Sequence, residues 1–142
     1  MHFLLSFDLP ARLDLLLKLR RTIREALFLG GVVTEDIDEL ELMIGELATN
    51  AACHSQSGLF RVEVHLTGQR VTITVADTGK GFDHHAVASP GTARSDGEGG
   101  ERIGGWGIPL VELLADEVTF STTQPHGTTV RAVKSLRRNQ RP

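Results

Sequence analysis

The residues best suited to chemistry fall in three short runs of a 142-residue chain. The first is Glu46-Leu47-Ala48-Thr49-Asn50-Ala51-Ala52-Cys53-His54. Glu46, Asn50 and His54 recur every four residues, so on a helix their side chains share one stripe. That stripe is expected to lie away from Ile37, Ile44 and Ala51, the apolar positions of the same segment. A carboxylate and a carboxamide one turn apart suit a hydrated magnesium ion, which prefers oxygen ligands and keeps several waters. A carboxylate beside a bound phosphate also suits the task of orienting or deprotonating an attacking hydroxyl. Taken alone, the stripe fits a solvated polar face as well.

The second run is Asp77-Thr78-Gly79-Lys80-Gly81-Phe82. Counting in twos from Val71 through Ile73 and Val75 lands on Asp77, so its side chain continues an apolar face into the core at a strand's end. An inward carboxylate needs a donor or suffers desolvation. An adenine amino group supplies such a donor, and Gly79 and Gly81 let backbone approach a flat base. A strand-ending turn, with Asp77 capping its own following backbone, is the alternative. Lys80 does not make a phosphate-binding P-loop, because Gly81 and Phe82 stand where Lys and Ser or Thr are required. The third run, Gly104-Gly105-Trp106-Gly107, feeds a helix expected over residues 108–115. Glycine-rich backbone entering a helix N-terminus presents free amides and the positive dipole end to an anion, although glycines also mark plain loops. The spacing matches no G-x-G-x-x-G dinucleotide fingerprint.

These runs need elements to hold them. Phe3, Leu5, Phe7 and Leu9 alternate as a short strand ended by Pro10. Residues 11–29 carry Leu13, Leu16, Leu19, Ile23 and Ala26/Leu27 at helical spacing, and Gly30-Gly31 stops them. Thr34 is the expected cap of a second helix, with Glu35, Asp36 and Asp38 at its positive end. Residues 59–66 and 71–77 alternate cleanly about a Gly68-Gln69 turn and read as a hairpin. Residues 117–123 and 128–133 read as a closing pair of strands. Between them, residues 79–107 hold 9 of the 15 glycines, the least regular stretch of the chain. The expected fold is an α+β two-layer sandwich, a largely antiparallel mixed sheet with helices on one face.

Composition narrows the class. Hydrophobic residues are 40% and charged residues 23%, ordinary for a globular domain and against wholesale disorder. The single cysteine, Cys53, excludes an internal disulfide framework and favours a reducing compartment. No apolar run approaches the roughly 18 residues that span a bilayer. No secretory signal is visible in Met1–Pro10, so the expectation is a soluble cytoplasmic domain. Residues 134–142 carry four basic residues and no acid, leaving 11 basic against 18 acidic residues in 1–133. A mildly acidic body with a short basic tail is not a nucleic-acid-binding stripe, and the tail reads as a frayed, solvated terminus.

Together, in this order, the runs resemble the ATP-binding superfamily of gyrase, heat-shock chaperones and histidine kinases (GHKL). The likeness is greatest to its small branch, the bacterial anti-sigma-factor serine/threonine protein kinases. Glu46–His54 is similar to that family's N box, Asp77–Gly81 to its first glycine box and Gly105–Gly107 to its second. Gly127-Thr128-Thr129-Val130 is similar to its closing strand motif. The resemblance spans about Phe3 to Val133, which implies a histidine-kinase-like ATP-binding domain over 1–133 and a basic tail over 134–142. It implies Glu46 as general base on a protein hydroxyl and Asn50 as the Mg2+ ligand. Asp77 would take the adenine amine, with Gly79 and Gly81 lining the base and Thr128 supporting it. Gly105 and Gly107 would cradle phosphate, and Arg102, one residue out of the family's usual place, would reach the terminal phosphate. Residues 82–104 would form an ATP lid.

The implied activity is Mg-ATP-dependent phosphorylation of a Ser or Thr on an anti-anti-sigma (STAS) antagonist, together with sequestration of a sigma factor or similar regulator. The resemblance also allows a homodimer, and it involves neither nucleic acid nor membrane. A non-catalytic, nucleotide-dependent protein-binding module of the same fold is the alternative. Asp83-His84-His85 is a weaker candidate metal contact, because adjacent ligands on a loop make poor geometry. Arg20, Arg21 and Arg24 read as a solvated helix face, or by the resemblance as part of a docking surface.

Overall fold

The computed structural model describes residues 2–55, 58–77, 103–122 and 127–137, and of residues 103–107 the backbone. Strand β1 (His2–Pro10) leads through a 3-10 turn (Leu13–Leu15) into α1 (Leu16–Leu29) and α2 (Thr34–His54). Strands β2 (Leu59–Thr67) and β3 (Arg70–Asp77) follow, then α3 (Ile103–Leu114), β4 (Glu117–Thr122) and β5 (Thr128–Ser135). The strands form one sheet in the order β1-β2-β3-β5-β4. Every adjacent pair is antiparallel, so the described sheet is wholly antiparallel rather than mixed.

The period-two pattern of β2 and β3 places Val62, Val64, Val71, Ile73 and Val75 in the core. Outward-facing partners are polar: Asp8 and Arg61 stand opposite each other, with Oδ1 and Nε 2.7 Å apart. One face is thus solvated and the other is covered, as a half-buried antiparallel sheet requires. Helix α2 packs against β2 and β3 and is flanked by α1 and α3. Its buried Ile37, Leu40, Met43, Ile44 and Leu47 form the centre of the core.

Helix α1 buries Leu16, Leu19, Ile23 and Leu27 but starts later than its apolar spacing suggests. Arg12 pairs with Asp14 at 2.6 Å in the 3-10 turn, and Leu13, the first apolar position of the expected helix, is exposed. The expected stop is present. Gly31 adopts φ +83°, its N–H reaches Phe28 O, and Val32 N–H reaches Leu27 O, the paired bonds of a left-handed helix terminus. At the start of α2 the cap position is Val33, with Thr34 already helical and no side chain capping.

Two further differences concern the ends of elements. Helix α3 begins at Ile103, so Gly104, Gly105 and Gly107 lie within its first turns, not in a loop before it. Once Ile108 and Val111 are buried, each residue added N-terminally gains a helical bond at little further cost. The last two residues of the expected lid are therefore helical, and lid residues 82–102 lie outside the described residues. Strand β5 runs through Ser135, taking in the first two residues of the expected tail. Lys134 is buried and its Nζ lies 2.5 Å from Glu39, while Arg137 pairs with Asp36 and Glu39. The first part of the basic tail is thereby anchored to α2 rather than frayed.

Candidate active site

Four of the candidate residues sit on described elements that meet at one end of the sheet. Asp77 ends β3 and Thr128 begins β5, and the two are direct cross-strand partners. Phe60 lies opposite Asp77 on its other side. Asp77 continues the inward register of Val71, Ile73 and Val75, and is 8% exposed; Thr128 is 3% exposed. Gly127, at φ +141°, takes a backbone conformation open to glycine, so the chain enters β5 with Thr128 already inward. A carboxylate and a hydroxyl side by side, on the covered face at a sheet's end, form a polar mouth on an otherwise apolar layer.

The C-terminal half of α2 reaches the same end. Helix α2 closes at His54, and Ser55 Oγ accepts from Leu59 N (3.1 Å) and donates to Leu59 O (2.7 Å), tying the helix exit to the start of β2. Asn50 is buried, Glu46 is half-buried and His54 is exposed. The expected stripe therefore does not lie wholly away from the core: α2 is packed by α1 on one flank and α3 on the other, so its polar residues fall in seams. Burial pushes the Glu46 carboxyl above its ordinary value, and the positive charge of Arg20 pulls it partly back.

Arg20 is the neighbour that sequence reasoning did not connect to Glu46. It leaves α1 and lies across Gly45, where an added Cβ would stand 3.5 Å from its Cδ and Nε. Its Nη2 is 3.4 Å from Glu41, its Nε is buried without a hydrogen-bond partner, and its charge acts on Glu46. Arg24 holds Asp38 at 2.8 Å and Glu41 at 2.6 Å. Arg20 and Arg24 are thus half-withdrawn into the α1–α2 seam rather than a solvated face. A glycine in mid-helix, directly before the candidate carboxylate, was the available signal, since such a glycine costs about 1 kcal/mol against Ala and calls for a packing reason.

Gly105 and Gly107 lie in α3, where their backbone is helical. Gly79, Gly81 and Arg102 lie outside the described residues, as does the Asp83-His84-His85 run. Among the described residues no three His, Cys, Asp or Glu side chains cluster as metal ligands. The oxygen donors of Asn50 and Glu46 suit magnesium, an ion commonly held by one or two protein groups together with substrate phosphates. Asp77, with its acceptor oxygens at the mouth of an apolar layer, suits an exocyclic amine on a flat base.

A family model described as a histidine kinase-like ATPase domain matches residues 9–134. The chain belongs to that family. It is 29% identical over 143 aligned residues to the serine-protein kinase RsbW of Staphylococcus epidermidis, covering 96% of this chain and 89% of that one. The RsbW of Staphylococcus aureus strain MSSA476 is 25% identical with the same coverage. A crystal structure of the RsbU and RsbW domains of Rv1364c from Mycobacterium tuberculosis superimposes with a TM-score of 0.71 at 23% identity. It covers 98% of this chain and 34% of that longer one. The SiaB–SiaC complex from Pseudomonas aeruginosa matches with a TM-score of 0.69 at 12% identity, over 91% of this chain and 88% of that one. These two structures share the fold: a five-stranded antiparallel sheet with its helices on one side.

Proposed function

We propose that this chain is a cytoplasmic ATP-dependent serine/threonine protein kinase of the anti-sigma type. It would phosphorylate a STAS-domain antagonist and, in the other arm of the switch, sequester a sigma factor or similar regulator. Supporting the reading are the family match and relatives named serine-protein kinases along almost the whole chain. No described helix is long and apolar enough to cross a membrane. The observation that carries the reading is Glu46: a half-buried carboxylate with raised proton affinity, one turn before a buried Asn50, on the helix that ends beside Asp77 and Thr128. A module that only binds nucleotide has no need of a base in that place.

In this reading Asp77 accepts from the adenine amine and Thr128 supports the same edge. Gly79 and Gly81 lie along the base, and Gly105, Gly107 and Arg102 serve the phosphates. Asn50 would hold Mg2+, which would supply charge neutralisation to the phosphates. Glu46 takes the proton of the acceptor Ser or Thr hydroxyl as that oxygen attacks the γ-phosphorus. The bond from the γ-phosphorus to the β–γ bridging oxygen breaks, ADP leaves, and the partner becomes a phosphomonoester. A carboxylate whose pKa is raised toward the working pH removes a proton more effectively than an ordinary one.

The test is transfer of label from γ-phosphate-labelled ATP to a purified STAS partner, run beside ATP binding. Glu46→Gln is expected to bind ATP as the wild type does and to lose about 10²–10⁴-fold in transfer, the usual cost of removing a base. Wild-type-like transfer by Glu46→Gln removes the base from Glu46. Absence of transfer by the wild type, with ATP bound, favours the non-catalytic module.

A further inference from the structure

The outward face of the sheet carries a hollow at the end away from the candidate active site. Its volume is about 510 Å³, and it is lined by His65 and Thr67 of β2, Gln69 of the hairpin turn, Arg70 and Thr72 of β3, and Ser135 at the end of β5. Alternation sends these strand side chains outward, since Val64, Leu66, Val71 and Ile73 between them are buried. The register makes them neighbours across three strands. His65 stands opposite Thr72, Thr67 opposite Arg70, and Arg70 opposite Ser135. Directly opposed side chains start about 5 Å apart, so a guanidinium, an imidazole and several hydroxyls crowd one small area.

The rim of this hollow is held in place. Gly68 turns the hairpin at φ +58°, and Gln69 O accepts from Leu136 N–H at 2.7 Å, which ties the turn to the chain leaving β5. Thr67 Oγ1 and His65 Nε2 lie 2.9 Å apart. Elsewhere on the same face, Arg61 is paired with Asp8, but among the described residues Arg70 makes no ion pair. Among those residues no carboxylate lines the hollow. Asp116 borders it and is bound by the backbone N–H of Ser135. Glu63, further along β2, takes the Ser6 hydroxyl. On a chain of net charge −3 this is a local cationic spot with free donors around it.

We propose that the hollow binds an anion of the phosphate class, with Arg70 as its counter-charge and His65, Thr67, Gln69 and Thr72 as hydrogen-bond donors. A guanidinium fork matches two phosphate oxygens at once. A carboxylate offers two oxygens in one plane and would leave donors on the other strands unused, whereas a tetrahedral phosphate presents oxygens to all of them. The volume exceeds what a bare phosphate fills and lies within the range of about 300–1,000 Å³ usual for small-molecule sites. Leu136 adds an apolar wall, so there is room for the organic part of a phosphate ester. The site is separate from the candidate nucleotide site. Arg70 begins β3 and faces outward, while Asp77 ends it and faces inward, roughly 23 Å further along the strand.

Titration of the isotope-labelled 142-residue chain with inorganic phosphate, followed by amide NMR at constant ionic strength with chloride as the balancing anion, tests this. Saturable shifts are expected at Gln69, Arg70, Thr72 and Ser135, with a dissociation constant of about 1 mM, within reach of so small a ligand. Arg70→Gln should weaken binding about tenfold or more, and Thr72→Val about threefold. Both changes lie on the outward face, and the remaining amide signals report the fold of each variant. Phosphoserine is the second probe. Binding at least as tight as that of inorganic phosphate assigns the hollow to a phosphate ester, and weaker binding assigns it to the free ion. Shifts that grow without saturating overturn the proposal, as does an affinity unchanged by Arg70→Gln and Thr72→Val. Shifts confined to Asp77 and Thr128 also overturn it, since they place the phosphate in the candidate active site.

Discussion

Glu46 is held in a state that a folded protein does not favour for its own sake. Its carboxyl binds a proton more readily than an ordinary glutamate because burial disfavours the charged form, and Arg20 offsets only part of this. A carboxyl with a raised folded-state pKa supports the fold below its unfolded pKa. That contribution is lost as pH rises through the folded value. Glu46→Gln is therefore expected to raise the urea midpoint at pH 7, with the advantage closing as pH falls into the ordinary carboxylate range. A lower midpoint at pH 7 would mean that the charged side chain is a net stabiliser. Glu39 shows the opposite sign. Hydrogen bonds from Lys134 and then Arg137 hold its carboxyl below the usual value, so its contribution is present at neutral pH and fades on acidification through the folded pKa. The residue proposed for proton transfer is thus penalised by burial, and the structural one is satisfied.

At the scale of elements, the turn from α1 to α2 depends on close backbone approach. A Cβ on Gly30 would stand 2.7 Å from Leu66 Cδ2 and 3.0 Å from Phe3 Cε2, and Leu66 is buried. Gly30→Ala is expected to cost about 1–3 kcal/mol by forcing that packing apart, read from the urea midpoint. An unchanged midpoint would show that β1 and β2 yield freely there. The hairpin of β2 and β3 was legible from alternation alone, and with it the inward turn of Asp77, because a period of two leaves no choice of face. The Gly30-Gly31 stop was legible for a similar local reason. The start of α3 was not: a Gly-rich run carries low helical propensity, and the helix is extended by the packing of Ile108 and Val111, which lie beyond it. Nor was the environment of Arg20 legible, since periodicity alone does not say that α2 has neighbours on both flanks.

The molecule as a whole is closed by contacts that no local pattern announces. Asp36, which reads as an acid placed for the dipole of α2, is fully buried. It accepts from the backbone N–H of Arg137 at 2.6 Å and from its guanidinium, 101 residues away in sequence. This staple joins the end of the chain to the start of the helix that carries Glu46 and Asn50. Ending the chain at Leu136 removes both donors and should lower the urea midpoint clearly. Arg137→Ala keeps the backbone donor and should cost less. Equal losses would assign the whole effect to the guanidinium. We propose that nucleotide binds where β3, β5 and the end of α2 meet. Calorimetric titration with ATP, with and without magnesium, on the wild type and on Asp77→Asn tests it most directly. Binding that tightens with magnesium and is lost in a folded Asp77→Asn is the expected result. ATP affinity unchanged in Asp77→Asn would place the base elsewhere and contradict a nucleotide site at this end of the sheet.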